Sequence, residues 1–197
     1  MYIDKSIQYY LDELASRSPT PGGGGVAALT GALACGLLSM TANFTLGKEE
    51  YKQYEKEVTR ILTQSEKLRS DFTLLVEEDS FSYQKVAAAY KLPKETPEDK
   101  EKRNQALQSA LKEATLVPLN ICKGSFNGLS LGSGLSGKCN HNLLDDLNAA
   151  LILFESSFTI AVFNMRSNLS KIKDDKFVKE TTQSIEEMEK KICRPNC

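Results

Sequence analysis

Asp79 is the side chain best placed to do chemistry. It stands among Phe72, Leu75, Val76, Tyr83, Val86 and Ala87, in the middle of an apolar stripe at helical spacing. A carboxylate on such a face must find a cation, hydrogen-bond donors or a ligand, or else keep its proton, because an unpaired buried charge is costly. An ion pair with a neighbouring helix and a role in a site are both open readings. Asp145-Asp146 is a second acidic candidate. Stepping by three or four from Asp146 passes Ala150, Leu153, Ser157 and Ile160 and reaches Asn164, a mostly apolar line with polar ends. Asp146 and Asn164 can therefore both look inward, or Asp146 simply complements the positive end of a helix dipole.

The run Pro21-Gly22-Gly23-Gly24-Gly25 directly precedes an apolar stretch and can offer backbone N–H groups to an anion. It fits neither the P-loop spacing nor GxGxxG after a strand, so a plain tight turn is the competing reading. Cys139 and His141 are two apart and Cys193 and Cys197 four apart, with no further pair to complete a tetrahedral zinc site, so no metal is expected. The single His speaks against a Ser-His-Asp or Cys-His enzyme. Lys94 and Arg103 flank a break between helices and read either as solvated cations or as ligand clamps.

Helices must position these residues, since the apolar periodicity is helical almost throughout. Ile7, Tyr10, Leu11 and Leu14 make a short stripe and predict a first helix over 2–16, broken by the Pro/Gly turn. Ser18 to Gly47 carries no charge, long enough to span a bilayer, but it is diluted by Gly, Ala and polar residues and reads as a buried core helix to about Leu46. Ala28, Ala32 and Gly36 recur every four positions there, a face suited to tight packing or a homodimer seam. One long helix follows from Glu49 to about Lys91, with a break near its middle as an option. Thr96-Pro97-Glu98-Asp99 restarts the chain as N-cap, first-turn Pro and first-turn acids. That helix runs to at least Cys122, with Pro118 expected to kink it. Residues 123–141 hold five Gly and four Ser; they read as a loop, or as a helix whose Gly124, Gly128, Gly132 and Ser136 share a face, and the first half favours helix. Asn142, with Asp145 three residues on, reads as the N-cap of a helix to about Leu169. A last helix spans about 174–192, stopped by Arg194-Pro195.

The fold class is thus all-α, an up-and-down bundle with one buried Gly/Ala-rich helix, in a single domain over 1–197. With 25 Lys plus Arg against 26 Asp plus Glu, net charge −1 excludes nucleic-acid binding by bulk positive charge. Five irregularly spaced Cys and a charged N-terminus point to a reducing cytoplasm, with no membrane anchor expected.

Taken together, these segments resemble the cyclodeaminase family: the cyclodeaminase domain of formiminotransferase-cyclodeaminase and the related bacterial methenyltetrahydrofolate cyclohydrolases. The resemblance runs from about Ile7 to Ile172. It rests on LDELASRSPTPGGGGVAALTGALA (11–34), NFTLGKEEY (43–51), EEDSFSYQKVAAAYKLPKETPEDKEKR (77–103), VPLN (117–120) and, more weakly, the helix from Asp145-Asp146 to Phe163-Asn164. It implies an all-helical homodimer, with the Gly/Ala-rich helix at the subunit interface and a tetrahydrofolate site between the PTPGGGG turn and the long helices. The reaction implied is hydrolysis of 5,10-methenyltetrahydrofolate to 10-formyltetrahydrofolate, or closure of 5-formiminotetrahydrofolate to the methenyl compound with loss of ammonia. Neither needs a metal or redox cofactor.

By that resemblance Asp79 is the acid of the family's D-x-x-[AS]-[FY] stretch and the first choice for handling protons. Asp146 matches the acid of a Ser-Asp pair. Pro21, Gly22, Gly23 and Gly24 are implied as substrate contacts, as are Lys94, Arg103 and Asn164. Three departures stand out: Gly25 where many members have Ser, Asp145 in place of the Ser of the Ser-Asp pair, and a Gly/Ser-rich 124–137. They leave a catalytically impaired folate-binding or scaffold dimer as the alternative reading.

Overall fold

The computed structural model describes residues 1–192. Its helices are α1 (Ile7–Ala15), α2 (Gly23–Asn43), α3 (Glu55–Tyr90), α4 (Pro97–Leu135), α5 (Leu144–Leu169) and α6 (Asp175–Ile192), with short 3₁₀ turns at Tyr2–Asp4, Glu49–Tyr54 and His141–Leu143. Among the described residues there is no strand. The Cys193/Cys197 spacing and the Arg194-Pro195 stop lie outside the described residues.

Four long helices, α2 to α5, form the body. Neighbours in sequence run antiparallel, as their contacts show: Gly25 meets Asp79 and Ser39 meets Ser65 between α2 and α3. Cys122 and Ser125 meet Phe158 and Ser157 between α4 and α5. The ring closes where Ser157 of α5 donates to the Ala27 carbonyl of α2 at 2.8 Å. Ser125 and Ser157 are fully buried, and their shared hydroxyl contact ties three helices together with both groups satisfied.

Glycine sets how closely these helices approach. A β-carbon at Gly31 or Gly124 would overlap the Phe72 ring, one at Gly128 the Phe154 ring, and one at Gly132 the Leu151 side chain. The Gly/Ser-rich segment is therefore helix through Leu135, its low propensity offset by burial of aromatic side chains against bare backbone. It loosens at Gly137, whose φ of +71° favours glycine.

Several expectations need correction. The 2–16 helix is interrupted: Lys5 is extended, and Ser6 caps α1 by accepting from the Tyr9 N–H. Of its apolar stripe only Tyr10 is buried, while Ile7 is 81% exposed and Leu11 51%. No break divides α3, which runs 36 residues. Asn142 does not cap α5, which starts after Leu143 without a side-chain cap; Asn140 instead caps the preceding 3₁₀ turn His141–Leu143, its side chain accepting from the Asn142 N–H. Its own backbone N–H is held by Thr45, which favours it over its more exposed neighbour. The Thr96 cap is present as a full capping box with Asp99.

Two helices, Gly23–Asn43 and the segment His141–Leu169, are long and apolar enough to cross a membrane by length and composition; 56% of the first window is packed inside the chain. In α2 the small-residue stripe splits. Ala28 is wholly buried in the core, whereas a β-carbon at Gly36 would meet open space.

Candidate functional site

At one end of the bundle the start of α2 faces the C-terminal third of α3 and the end of α5, enclosing a cleft of about 430 Å³. That volume suits a small-molecule site. Thr20 and Gly22 to Gly24 form one edge, Asp79, Tyr83 and Tyr90 one wall, Leu111, Ala114 and Pro118 the floor, and Asn164, Asn168 and Lys171 the opposite side.

The glycine run is where it is because of what it touches. Gly23, Gly24 and Gly25 are the first three residues of α2, whose leading N–H groups have no partner within the helix. The Gly25 N–H donates to Asp79 Oδ2 at 2.9 Å, so the carboxylate caps α2 from across the bundle. Gly24 lies so close that a β-carbon there would sit 2.5 Å from Asp79 Cγ, and one at Gly23 would sit 3.1 Å from Asn164 Nδ2. Among the described residues no cation pairs with Asp79, so the ion-pair reading finds no partner. Burial pushes its carboxyl up from the ordinary range, and the Gly25 N–H opposes that rise. A carboxylate with one amide donor and a rising proton affinity, open to a cleft, is equipped to take and return a proton.

Tyr83 belongs to the apolar stripe around Asp79, and Tyr90 continues that stripe at helical spacing. They are 46% and 45% exposed and stand on the Asp79 face of α3 as the cleft wall. Their spacing from Asp79, four and eleven residues, was the signal. It fits an apolar face turned toward a ligand as well as one turned toward a neighbouring helix. Asn168 and Lys171 were missed, although they continue the face of Asn164 at steps of four and three.

Asn168 also solves a backbone problem. Pro118 has no N–H to offer the Ala114 carbonyl four residues earlier, and the Asn168 side chain donates to that oxygen at 3.2 Å. The proline thus stands inside α4 at the cleft floor with its orphaned acceptor satisfied from α5.

The remaining expected residues are not gathered here. Pro21 is buried behind the turn and is not part of the lining. Arg103 lies outside the cleft, donating to the Tyr90 carbonyl at 3.2 Å with its guanidinium 5.7 Å from that ring, so it braces the wall from behind. Lys94 is exposed in the α3–α4 connection and does not line the cleft. Asp146 lies at the opposite end of α5 from Asn164, 18 residues or about 27 Å along the axis. Within this chain Asp146 is therefore not brought to the cleft with Asp79 and Asn164, because α5 runs as one continuous helix from Asp146 to Asn164.

The 124–137 segment is absent from the cleft lining. Gly124 instead borders a separate groove of about 340 Å³ between α3 and α4, with Phe72 and Leu75 and the charged Asp71, Glu78 and Lys123. That groove has no carboxylate held by a backbone donor, and the Asp79 cleft is the better candidate. Among the described residues no group of three or more His, Cys, Asp or Glu side chains comes together.

A family profile described as formiminotransferase-cyclodeaminase matches residues 6–187. A methenyltetrahydrofolate cyclohydrolase from Methylorubrum extorquens is 36% identical over 183 residues, covering 93% of this chain and 88% of that one. The formimidoyltransferase-cyclodeaminase of Rattus norvegicus is 32% identical over 183 residues, which take in 93% of this chain but 34% of that longer protein. The crystal structure of a formiminotetrahydrofolate cyclodeaminase from Thermotoga maritima superimposes with a TM-score of 0.89 at 33% identity, over 98% of this chain and 92% of that one.

Proposed function

The chain belongs to the formiminotransferase-cyclodeaminase family, and from that premise we propose that it is a tetrahydrofolate one-carbon enzyme whose reacting carbon is handled at Asp79. The observation that carries this is the Asp79 carboxylate, held by the Gly25 N–H at the edge of a cleft walled by Tyr83 and Tyr90. Flat aromatic faces suit a pterin ring, and a carboxylate suits the cationic methenyl bridge between N5 and N10.

We favour hydrolysis of 5,10-methenyltetrahydrofolate on identity, 36% to the cyclohydrolase relative against 33% to the Thermotoga maritima cyclodeaminase, both being matched over most of their length. Water adds its oxygen to the bridge carbon, the C–N5 bond breaks, one water proton ends on N5 and the other is released. Asp79 accepts the first proton and returns it. In the cyclodeaminase direction N10 attacks the formimino carbon, the N10 proton and one proton taken up from solution move to the formimino nitrogen, its bond to the carbon breaks, and ammonia departs to leave the methenyl cation. The same carboxylate serves as carrier. Asn164 and the free N–H groups of Gly23 and Gly24 are placed to orient the substrate, and Lys171 to meet the carboxylates of the glutamate tail. Arg103 acts through Tyr90, and Lys94 can reach only a tail that leaves the cleft.

We place the active form in a homodimer. The outward side of the charge-free α2 carries Leu33 and Phe44, each 57% exposed, and its neighbour α5 carries Ile152 at 62% and Phe163 at 65%. Large apolar exposure of this kind marks an interface. Cys35, Cys122 and Cys139 are buried free thiols, which suits a reducing cytoplasm.

Methenyltetrahydrofolate absorbs in the near ultraviolet, so its loss with water, or its gain from formiminotetrahydrofolate, reads either activity directly. Rates no faster than the uncatalysed ones in both assays would reject the proposal.

A further inference from the structure

Tyr10 of α1 is 7% exposed, and its hydroxyl is buried with no hydrogen-bond partner. Packing does not explain that hydroxyl. The ring sits edge-on to Tyr2 at 5.7 Å, an arrangement phenylalanine would keep without burying an unsatisfied oxygen. Such a group in a native structure calls for an explanation in strain, an ordered water or a role in chemistry.

The location indicates the function. A β-carbon at Gly25 would lie 3.3 Å from the Tyr10 hydroxyl and 3.7 Å from Asp79 Oδ2, so both oxygens border the one small space that a side chain at position 25 would enter. Gly25 already gives its N–H to that same carboxylate oxygen. A Ser at position 25 would carry a hydroxyl into this space, and in this chain Tyr10 brings one from another helix. We infer that Tyr10 is a positioning residue for Asp79: its hydroxyl is the second donor to the carboxylate, through one water, and sets the direction in which Asp79 presents its free oxygen to the cleft.

The chemistry is consistent. Burial first, then Asp79, Tyr2 and Glu77, raise the Tyr10 pKa to about 12, so the phenol keeps its proton and can only donate when it faces an anion. The other titratable groups around the pair are Tyr83 and Tyr90 on α3 and Lys171 across the cleft. None of them makes a hydrogen bond to Asp79, so the effect of removing the Tyr10 hydroxyl can be read without a competing partner.

This inference rests on the folate reading for its kinetic arm but not for its structural one. In Tyr10→Phe the Asp79 carboxyl, followed by ¹³C NMR in the ligand-free protein, should titrate about one pH unit higher, because a donor to the charged form is gone. The acid limb of the pH–rate profile should move with it, and kcat should fall about tenfold with KM held within about twofold. Gly25→Ser added to Tyr10→Phe should restore both titration and rate, since Ser then fills the space the phenol left. Gly25→Ser alone should not improve either, as it crowds the hydroxyl. Unchanged Asp79 titration in Tyr10→Phe overturns the inference, and so does loss of folding, which would make the hydroxyl structural. If wild type turns over neither folate substrate, the functional reading fails while the NMR titration still decides the role of Tyr10.

Discussion

The Asp79 carboxyl occupies the place where residue 24 would carry its side chain. A β-carbon on Gly24 would stand 2.5 Å from Asp79 Cγ and 2.9 Å from Oδ2. The glycine run is therefore more than a turn: at position 24 its bare backbone is the condition for α2 and the carboxylate to meet, and Gly25 then supplies the N–H that holds it. Gly24→Ala should displace Asp79, cutting turnover by about 100-fold and destabilising the fold by about 1–3 kcal/mol. Gly22→Ala, where a β-carbon meets nothing within 4 Å, should unfold at a midpoint close to wild type in urea. Equal effects of the two on stability would contradict this account.

Asp79→Asn keeps the shape and an acceptor for the Gly25 N–H while removing the charge. Turnover should fall about 100-fold or more if Asp79 carries the proton. Stability should respond to pH in a defined direction. The folded-state pKa of Asp79 lies above its unfolded value, so between the two the native state holds more protons and wild-type stability declines as pH rises from about 4 through the folded pKa. The variant has no such decline. Denaturant titrations from pH 4 to 7 should show its stability gaining on wild type as pH rises, and a constant difference would speak against a raised Asp79 pKa.

Asn168 and Pro118 should be energetically coupled. Asn168→Ala leaves the Ala114 carbonyl without a donor and should cost about 1 kcal/mol. In a Pro118→Ala background the helix recovers its own N–H for that carbonyl, and the same change should cost measurably less. Thermal or urea unfolding of the four proteins reads the coupling; additive effects would mean the Asn168 contact is incidental.

Leu33→Lys places a charge on the exposed apolar side of α2 without touching the core, since Leu33 is already 57% exposed. If that side is the subunit interface, sedimentation should show the protein shift from dimer to monomer while the helical circular dichroism spectrum is retained. A dimer that survives the substitution would place the interface elsewhere.

Much of the fold was legible in the chain. The Thr96-Pro97 restart and the end of α5 at Leu169 follow from local rules of capping and spacing, whereas the shared face of Gly124, Gly128 and Gly132 left loop and helix open until Phe72 and Phe154 packed against it. Local rules failed where two chemically similar residues competed. Asn140, rather than Asn142, caps, and it caps the 3₁₀ turn ahead of α5, because Thr45, distant in sequence, holds its backbone. The 2–16 helix breaks at Lys5, where the Ile3 N–H donates to the buried Glu77 of α3 at 2.9 Å.

The site was half visible. Asp79, Asn164 and the glycines could be picked out because each violates the pattern around it: a charge or amide on an apolar line, or a helix begun with bare backbone. Tyr83 and Tyr90 obey the pattern, and so they do not stand out as a cleft wall. Family resemblance selected Lys94, Arg103 and Asp146, but resemblance carries no distances.

The amino-acid order alone determined which segments are helices, which faces are apolar and that one carboxylate sits at odds with its surroundings, because periodicity and propensity act within a few turns of chain. Tertiary structure decided which apolar faces close on each other and which line an open cleft, and that Gly24 and Gly25 receive Asp79. Those outcomes depend on how close four helices can pack, and that is fixed by glycine meeting aromatic side chains from segments far apart in sequence.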